Sequence, residues 1–412
     1  MALVCVFSCR ERESGGAAAD LKKIDVEQAL QNVTRLKVSD FGKTVRYIPL
    51  ETADSGLVGG NPVVKVLKRY IVIEYGTQHC LLFDREDGRF IAEIGHRGQD
   101  PEAFTSNFSR TDGREEFLYF ERRPNRLVKY DMKGHFRGRT EFAPSAGLAS
   151  SCLITDSEII GYFDAVSSPP GRQWMLGLFD REGNLKDTVP PLSRAEIPAA
   201  PDEIAGIAVQ RNGVYSLYGQ WARAGAIIID YKNDRKRIIA PNAVRMWKGS
   251  GDVIRFKEDF TDTLYTVSGS RLVPSIAFHT GRYRWPAAEK TDKRHNSERI
   301  FIADVSENDS LVFFQCIRGL YTDSPVLYNG LYDRKTGETR LGRHSDGIED
   351  DITRFMPFIP SGMSTSGEFV SLVEAADITA WLEQHPEAPA NAQLSFLKEL
   401  DAEANPVVIL VK

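Results

Sequence analysis

The 412-residue chain is poor in cysteine, has no excess of basic charge and contains no long apolar run. Its five cysteines, Cys5, Cys9, Cys80, Cys152 and Cys316, include no Cys-x-x-Cys pair, so the spacing encodes neither a disulfide framework nor a zinc site. Cys80 and Cys316 stand in strand-like runs and read as small buried hydrophobes. Acidic residues number 57 against 52 lysines and arginines, a net charge of −5 that removes the electrostatic reason to bind nucleic acid. No stretch approaches the roughly 18 apolar residues of a spanning helix. A Gly-rich phosphate loop, a Gly-x-Ser-x-Gly elbow and a His-Glu-x-x-His helix are all missing, and with them the direct signals for nucleotide, serine-hydrolase and zincin chemistry. No cofactor and no metal are expected. With 42% apolar residues the chain nevertheless has material for a substantial core.

What the chain does have is a repeat. Leu82-Phe-Asp-Arg-Glu-Asp-Gly-Arg-Phe-Ile91 returns as Lys129-Tyr-Asp-Met-Lys-Gly-His-Phe136, Leu178-Phe-Asp-Arg-Glu-Gly-Asn-Leu185, Ile229-Asp-Tyr-Lys-Asn-Asp-Arg-Lys236 and Leu331-Tyr-Asp-Arg-Lys-Thr-Gly-Glu338. Asp84, Asp131, Asp180, Asp230 and Asp333 are spaced by 47, 49, 50 and 103 residues, the last interval holding a degenerate copy from Asp262 to Leu272. Each copy reads as strand, turn and strand, because Asp and Gly supply the reversal and β-branched and aromatic residues flank it. Two further strand-like runs precede each hairpin, such as Val63 to Leu67 and Tyr70 to Tyr75. Four short antiparallel strands at this period predict an all-β fold, a β-propeller of four-stranded blades.

Six units follow from residues 61–95, 105–142, 147–190, 204–240, 243–277 and 298–342. A seventh is assembled from Ile352 to Phe358, Glu368 to Glu374, Pro406 to Lys412 and the early strand Val45-Arg-Tyr-Ile-Pro-Leu50. An N-terminal strand completing a C-terminal blade closes the ring without a free edge. Residues 21–412 are therefore expected to form a single domain. Within the last blade, Ile378, Trp381, Leu382, Leu394, Leu397 and Leu400 recur at helical spacing around Pro386-Glu-Ala-Pro389, which predicts a small helical insertion over about 375–403, either packing on the blade or acting as a lid.

The span from about Ile24 to Lys412 resembles the lipoprotein-associated six-bladed β-propeller family of Gram-negative gut anaerobes, itself similar to NHL-repeat propellers. The likeness is carried by Val45-Arg-Tyr-Ile-Pro-Leu-Glu51, the loop Ile94-Gly-His-Arg-Gly-Gln-Asp-Pro-Glu-Ala-Phe104, Asp262-Thr-Leu-Tyr265 and Asn405-Pro-Val-Val408. The loop departs from the family's usual pattern at Asp100 and Ala103. The resemblance implies six blades where the strand count reads seven, and it lends no activity. The start of the chain is similar to the tail of a lipoprotein signal peptide, with Val6-Phe7-Ser8-Cys9 as lipobox and Cys9 as the lipidated residue. Residues 1–20 then read as signal remnant and flexible tether. The expected location is the periplasm or cell surface, with membrane contact only through the lipid.

In a propeller the connections between blades and the turns between strands two and three emerge on one face, called here the connector face. Sorted this way, the strand-two to strand-three loops hold Arg122 and Arg123, Arg172 and Trp174, Trp221 and Arg223, and Arg318 and Tyr321. The inter-blade connections add Arg97, Arg284, Trp285 and His344. Arginine forks match carboxylate, sulfate or phosphate, and indole or phenol rings stack on sugar faces. The expectation is ligand binding by an acidic or neutral glycan or an outer-membrane protein partner, not catalysis. The alternatives are a glycan hydrolase or lyase, using Asp100, Glu102, Asp350 or Asp351 as paired carboxylates, and a structural subunit of an outer-membrane complex. Convergence of His96, His279 and His344 across the ring would point to a metal or to acid/base chemistry. The acidic run Asp346-Gly-Ile-Glu-Asp-Asp351 lacks the order of an EF-hand loop and reads as a solvated turn.

Overall fold

Every described copy of the repeated phrase forms the turn of an antiparallel hairpin. A computed structural model describes residues 21–164, 172–192, 201–210, 214–215, 221–222, 226–232, 236–239, 245–286, 289–292, 298–389 and 391–412. The hairpins pair His79–Asp84 with Phe90–Glu93, Arg126–Asp131 with Phe136–Glu141, Leu176–Phe179 with Leu185–Val189, Ala226–Tyr231 with Lys236–Ile239, and Val326–Asp333 with Thr339–Arg343. The turn aspartate does the reversing. Asp333 accepts from the N–H groups of Lys335 at 2.7 Å and Thr336 at 2.9 Å. Asp180 accepts from both the side chain and the backbone of Asn184, and these bonds hold its carboxyl down at about 2.

Seven sheets are arranged like propeller blades. Numbered in chain order they cover residues 63–93, 106–141, 151–189, 204–239, 246–279, 300–343 and, for the seventh, 362–411 with the early strand Val45–Pro49. Five of the seven have four strands; the fifth gains an extra strand and the fourth is described by three, with a two-residue pair, Val214–Tyr215 against Trp221–Ala222, extending its hairpin.

Core packing between sheets follows a shorter cycle. Shared apolar clusters join sheet 1 to 2 through Leu82 and Phe120, 2 to 3 through Leu127 and Phe179, 5 to 6 through Phe278 and Phe314, 6 to 7 through Phe313 and Phe369, and 7 to 1 through Ile48 and Phe83. Sheet 3 shares its core directly with sheet 5, where Tyr162 and Leu176 meet Met246 and Phe256. Among the described residues, sheet 4 packs instead through Ala226 and Ile238 on Phe260, Trp285, Phe301 and Leu327. The strand count of seven thus holds among the described residues, and six of these sheets pass their cores to one another in a closed cycle.

In blades 1, 3 and 6 the residue after the turn aspartate is an arginine, and it staples the blade to the one before it in that cycle. Arg85 donates to Leu67 O at 3.0 Å within its own blade and to Glu368 of the seventh. Arg181 donates to Thr155 O at 2.5 Å and to the Tyr119 hydroxyl of the second. Arg334 donates to Asn308 O at 3.1 Å and to Glu307, which also takes Arg255 of the fifth.

Ring closure is as expected: Val45–Pro49 pairs antiparallel with Val407–Val411, from Val45 opposite Val411 to Pro49 opposite Val407. Before that strand, the chain straps the rim. Lys22–Asp25 adds a parallel strand to Arg271–His279 of blade 5. Helix α1 (Val26–Leu30) follows, its first turn capped by Asp25 accepting from Gln28 N–H at 3.0 Å. Thr34 N–H then reaches Leu341 O on the outer strand of blade 6 at 2.9 Å.

Two details of the seventh blade differ from expectation or refine it. Its inner strand is Gly362–Met363, not Ile352 to Phe358. Asp350 takes the N–H groups of Ile352 at 3.1 Å and Thr353 at 2.8 Å, which bends 350–354 into a turn, and Phe355, Met356 and Phe358 are buried from a loop. The insertion is present as helix α2 (Ala375–Gln384) and a 3-10 segment Ala392–Glu399, between the second and third strands of the blade, with Ile378, Leu394 and Leu397 buried against Phe355 and Val373.

Candidate functional site

The connector face carries a cavity of about 460 Å³ between blades 6 and 7. Three segments far apart in sequence wall it: Arg35 and Lys37 from the N-terminal strap, Glu349 to Phe355 and Pro357 from the connection, and Trp381 from α2. Backbone bonds lock strap to connection, with Val38 N–H donating to Glu349 O at 2.8 Å and Glu349 N–H to Leu36 O at 2.9 Å.

Its charges are of both signs and unequally engaged. Asp350 is buried and accepts from the Tyr47 hydroxyl at 3.2 Å and from Thr353. Burial pushes the Asp351 carboxyl up, but the hydroxyl and amide of Ser39, at 2.6 and 3.0 Å, outweigh it and leave it below its usual range. Glu349 stands 3.9 Å from Arg35 and 4.0 Å from Lys37, both about half exposed. Arg354 makes no ion pair among the described residues, is exposed, and occupies left-handed backbone at φ 56, a conformation that costs a non-glycine residue. The Trp381 ring stacks on His385 at 4.0 Å between centroids, which holds the indole in place.

Of the residues singled out from the sequence, Asp350 and Asp351 of the alternative carboxylate set and Trp381 of the insertion line this cavity, while none of the arginines, aromatics and histidine expected to bind ligand does. Arg97 is exposed and donates to the Thr77 hydroxyl at 2.7 Å. Arg122 ties down its own connector through Ala103 O at 2.7 Å and Gln99 O at 2.9 Å, while Arg123 is exposed. Arg172 is buried between Phe163 and Trp174, 4.4 and 4.3 Å from the two rings; it donates to Ala146 O at 2.5 Å, and burial brings its guanidinium down to about 10. Trp174 is packed edge-on against Phe163. Trp221 lies on a strand with its side chain outside the described residues, as are Arg223 and Cys9. Arg284 is exposed, whereas Trp285 is buried among Phe260, Phe301 and Tyr321. Arg318 pairs with Glu298 and lies over the Tyr283 ring; Tyr321, its hydroxyl pushed up by burial, donates to Lys290 O at 2.8 Å. The three histidines do not converge: His96 contacts Asp100 at 2.6 Å, His279 lies 3.5 Å from Glu27, and His344 is buried. Among the described residues no three His, Cys, Asp or Glu side chains form a group able to hold a metal.

A second polar cluster lies where blades 3 and 5 meet. Tyr162 donates to Glu258 at 3.1 Å, Arg245 pairs with Asp259 at 2.5 Å, and the buried Lys257 ammonium donates to Glu258 O at 3.3 Å. Burial lowers Lys257 to about 8 despite the carboxylates around it. This cluster is buried, whereas the cavity between blades 6 and 7 is open.

Residues 21–412 match the family described as Domain of unknown function (DUF4934). The chain belongs to this family. No curated protein matches it. The DUF4934 chain is similar to a crystal structure from Bacteroides fragilis NCTC 9343, described as a candidate exported protein, at 14% identity over 95% of this chain and 99% of that one, with a TM-score of 0.60, which establishes a shared fold. Similarity to a Staphylococcus aureus virginiamycin B lyase (10% identity, 90% and 99% covered, TM-score 0.36) and to the WD40 repeats of RRP9 (9%, 92% and 99%, 0.39) is too remote to carry any argument. Among the described residues no helix is long and apolar enough to cross a membrane.

His344 provides a pH test of the neighbouring connector. It is 3% exposed, its Nδ1 stands 3.1 Å from Asn329 Oδ1, and burial lowers it from 6.5 to about 4. Between those values the unfolded chain binds a proton that the folded chain refuses, so stability is full above pH 6.5 and falls as pH drops toward 4. The loss is expected to reach about 3 kcal/mol at 1.36 kcal/mol per pH unit. Urea midpoints at pH 7 and 4.5 should separate strongly in the parent and much less in His344→Gln. Equal separations would remove His344 as the acid-sensitive group.

Proposed function

We propose that this protein is an extracytoplasmic β-propeller, tethered through Cys9, that binds a carbohydrate in the cavity between blades 6 and 7. The observation that carries the reading is the lining: an aromatic wall, Trp381, beside carboxylates and cations in one concavity of about 460 Å³, a size typical of small-ligand sites. A sugar presents C–H faces for an indole and hydroxyls that both donate and accept, so it meets Trp381 and charges of both signs without requiring a net charge in the site. The fold shared with a Bacteroides fragilis protein described as a candidate exported protein supports the location.

The reading is tested by calorimetric titration with an oligosaccharide panel, comparing the parent with Trp381→Ala. Loss of the stacking wall should weaken binding about tenfold, equivalent to roughly 1.4 kcal/mol. Unchanged affinity in Trp381→Ala would place the ligand elsewhere.

A further inference from the structure

We infer that the sugar taken by this cavity carries a carboxylate, read by Arg354; the inference rests on the carbohydrate reading above. Most of the charges at the cavity wall are already engaged. Asp350 is closed off by Tyr47, Thr353 and two backbone amides, and Asp351 by Ser39. Arg35 and Lys37 share a single carboxylate, Glu349, at 3.9 and 4.0 Å. Arg354 has no ion-pair partner among the described residues, yet its backbone is held in the left-handed region at φ 56, where Arg354 N–H donates to Asp350 O at 2.9 Å. The buried Asp350 that caps the turn is thus what positions an exposed guanidinium at the cavity wall. A free, planar, five-donor fork in such a place suits a bidentate carboxylate. With Trp381 under the ring and Glu349 accepting from hydroxyls, the matching chemistry is a uronic-acid residue.

The experiment uses the full chain and three oligosaccharides, oligogalacturonate, oligoglucuronate and oligomannuronate, each paired with its carboxyl-reduced neutral form. Binding is measured by calorimetry at two salt concentrations. At least one acidic oligomer is expected to bind about tenfold or more tightly than its reduced form, as a charge-assisted hydrogen-bonded contact implies, with affinity falling as salt rises. Arg354→Asn keeps a residue that tolerates left-handed backbone and should abolish the discrimination, bringing the acidic form's affinity down to that of the neutral form in the same variant; Arg354→Gly serves if that variant folds poorly. Neutral forms binding as tightly as acidic ones, or discrimination surviving in Arg354→Asn, overturns the carboxylate inference and leaves the carbohydrate reading standing. No binding by any of the six probes overturns the carboxylate inference alone, whereas binding indifferent to Trp381→Ala overturns both. A carboxylate-bearing peptide binding in place of every sugar likewise overturns both.

Discussion

Replacing Glu307 by Ala is expected to cost about 3–5 kcal/mol of folding stability, the range for breaking a buried ion pair by removing one partner. The Glu307 side chain is fully buried and takes Arg255 Nε at 2.5 Å on one oxygen and Arg334 on the other. Arg255 belongs to blade 5 and Arg334 to the hairpin turn of blade 6, and both guanidiniums are largely buried. Without the carboxylate two cations face each other in a site closed to water, and the junction must open to hydrate them. Glu307→Gln keeps the shape and one acceptor and should fall between parent and Ala. Urea unfolding of the three proteins checks this. Equal midpoints for parent and Glu307→Ala would mean that the guanidiniums reach solvent unaided and that apolar packing alone holds blade 5 to blade 6.

The second large effect belongs to Gly88. It lies in the first hairpin turn at φ 77, and a Cβ there would come 2.0 Å from Pro49 O, a backbone atom that has no rotamer by which to move away. Glu51 N–H donates to Gly88 O at 2.9 Å across the same contact. Because Pro49 ends the N-terminal strand of blade 7, this turn seats the closing strand on blade 1. Gly134 and Gly183 make the equivalent approach to Glu93 O and Glu141 O, at 2.8 and 2.3 Å from an added Cβ. Gly337 occupies the same turn of blade 6 at φ 76 with nothing within 4 Å of its Cβ position. Gly337→Ala should therefore pay only the left-handed backbone cost, about 1–2 kcal/mol, while Gly88→Ala adds an overpacking cost of about 1–3 kcal/mol. Hydrogen exchange should report the difference at Leu50 and Glu51, whose amides bond Pro406 O and Gly88 O. Equal destabilisation of the two variants would show that conformation, not blade contact, selects glycine in the repeat.

The cavity depends on the same closure. Its strap residues Arg35 and Lys37 stand just ahead of the closing strand Val45–Pro49, and its connection leads into the blade that strand completes. Ligand bound there bridges strap, connection and insertion, so binding is expected to raise the stability of ring closure by mass action.

By itself the sequence determined the hairpins, the closing strand and the place of the helical insertion. Those are local properties: Asp and Gly at a turn, β-branched and aromatic residues beside it, and a change from period two to 3.6, all written within a few residues of where they act. It also placed Cys80 and Cys316 in the core, where both are buried. Only the tertiary structure decided that sheet 3 packs on sheet 5, because that depends on which faces meet and not on how many strands exist. It likewise decided which charges are free. Arg122, Arg172 and Trp285 look like a binding face in one dimension, yet in three their donors and rings are engaged by carbonyls and neighbouring rings. Arg35, Arg354 and Trp381 are separated by 319 and 27 residues in the chain and share no motif. They become a site because the strap, a turn bent by Asp350 and an inserted helix are folded against one another, and no periodicity records that meeting.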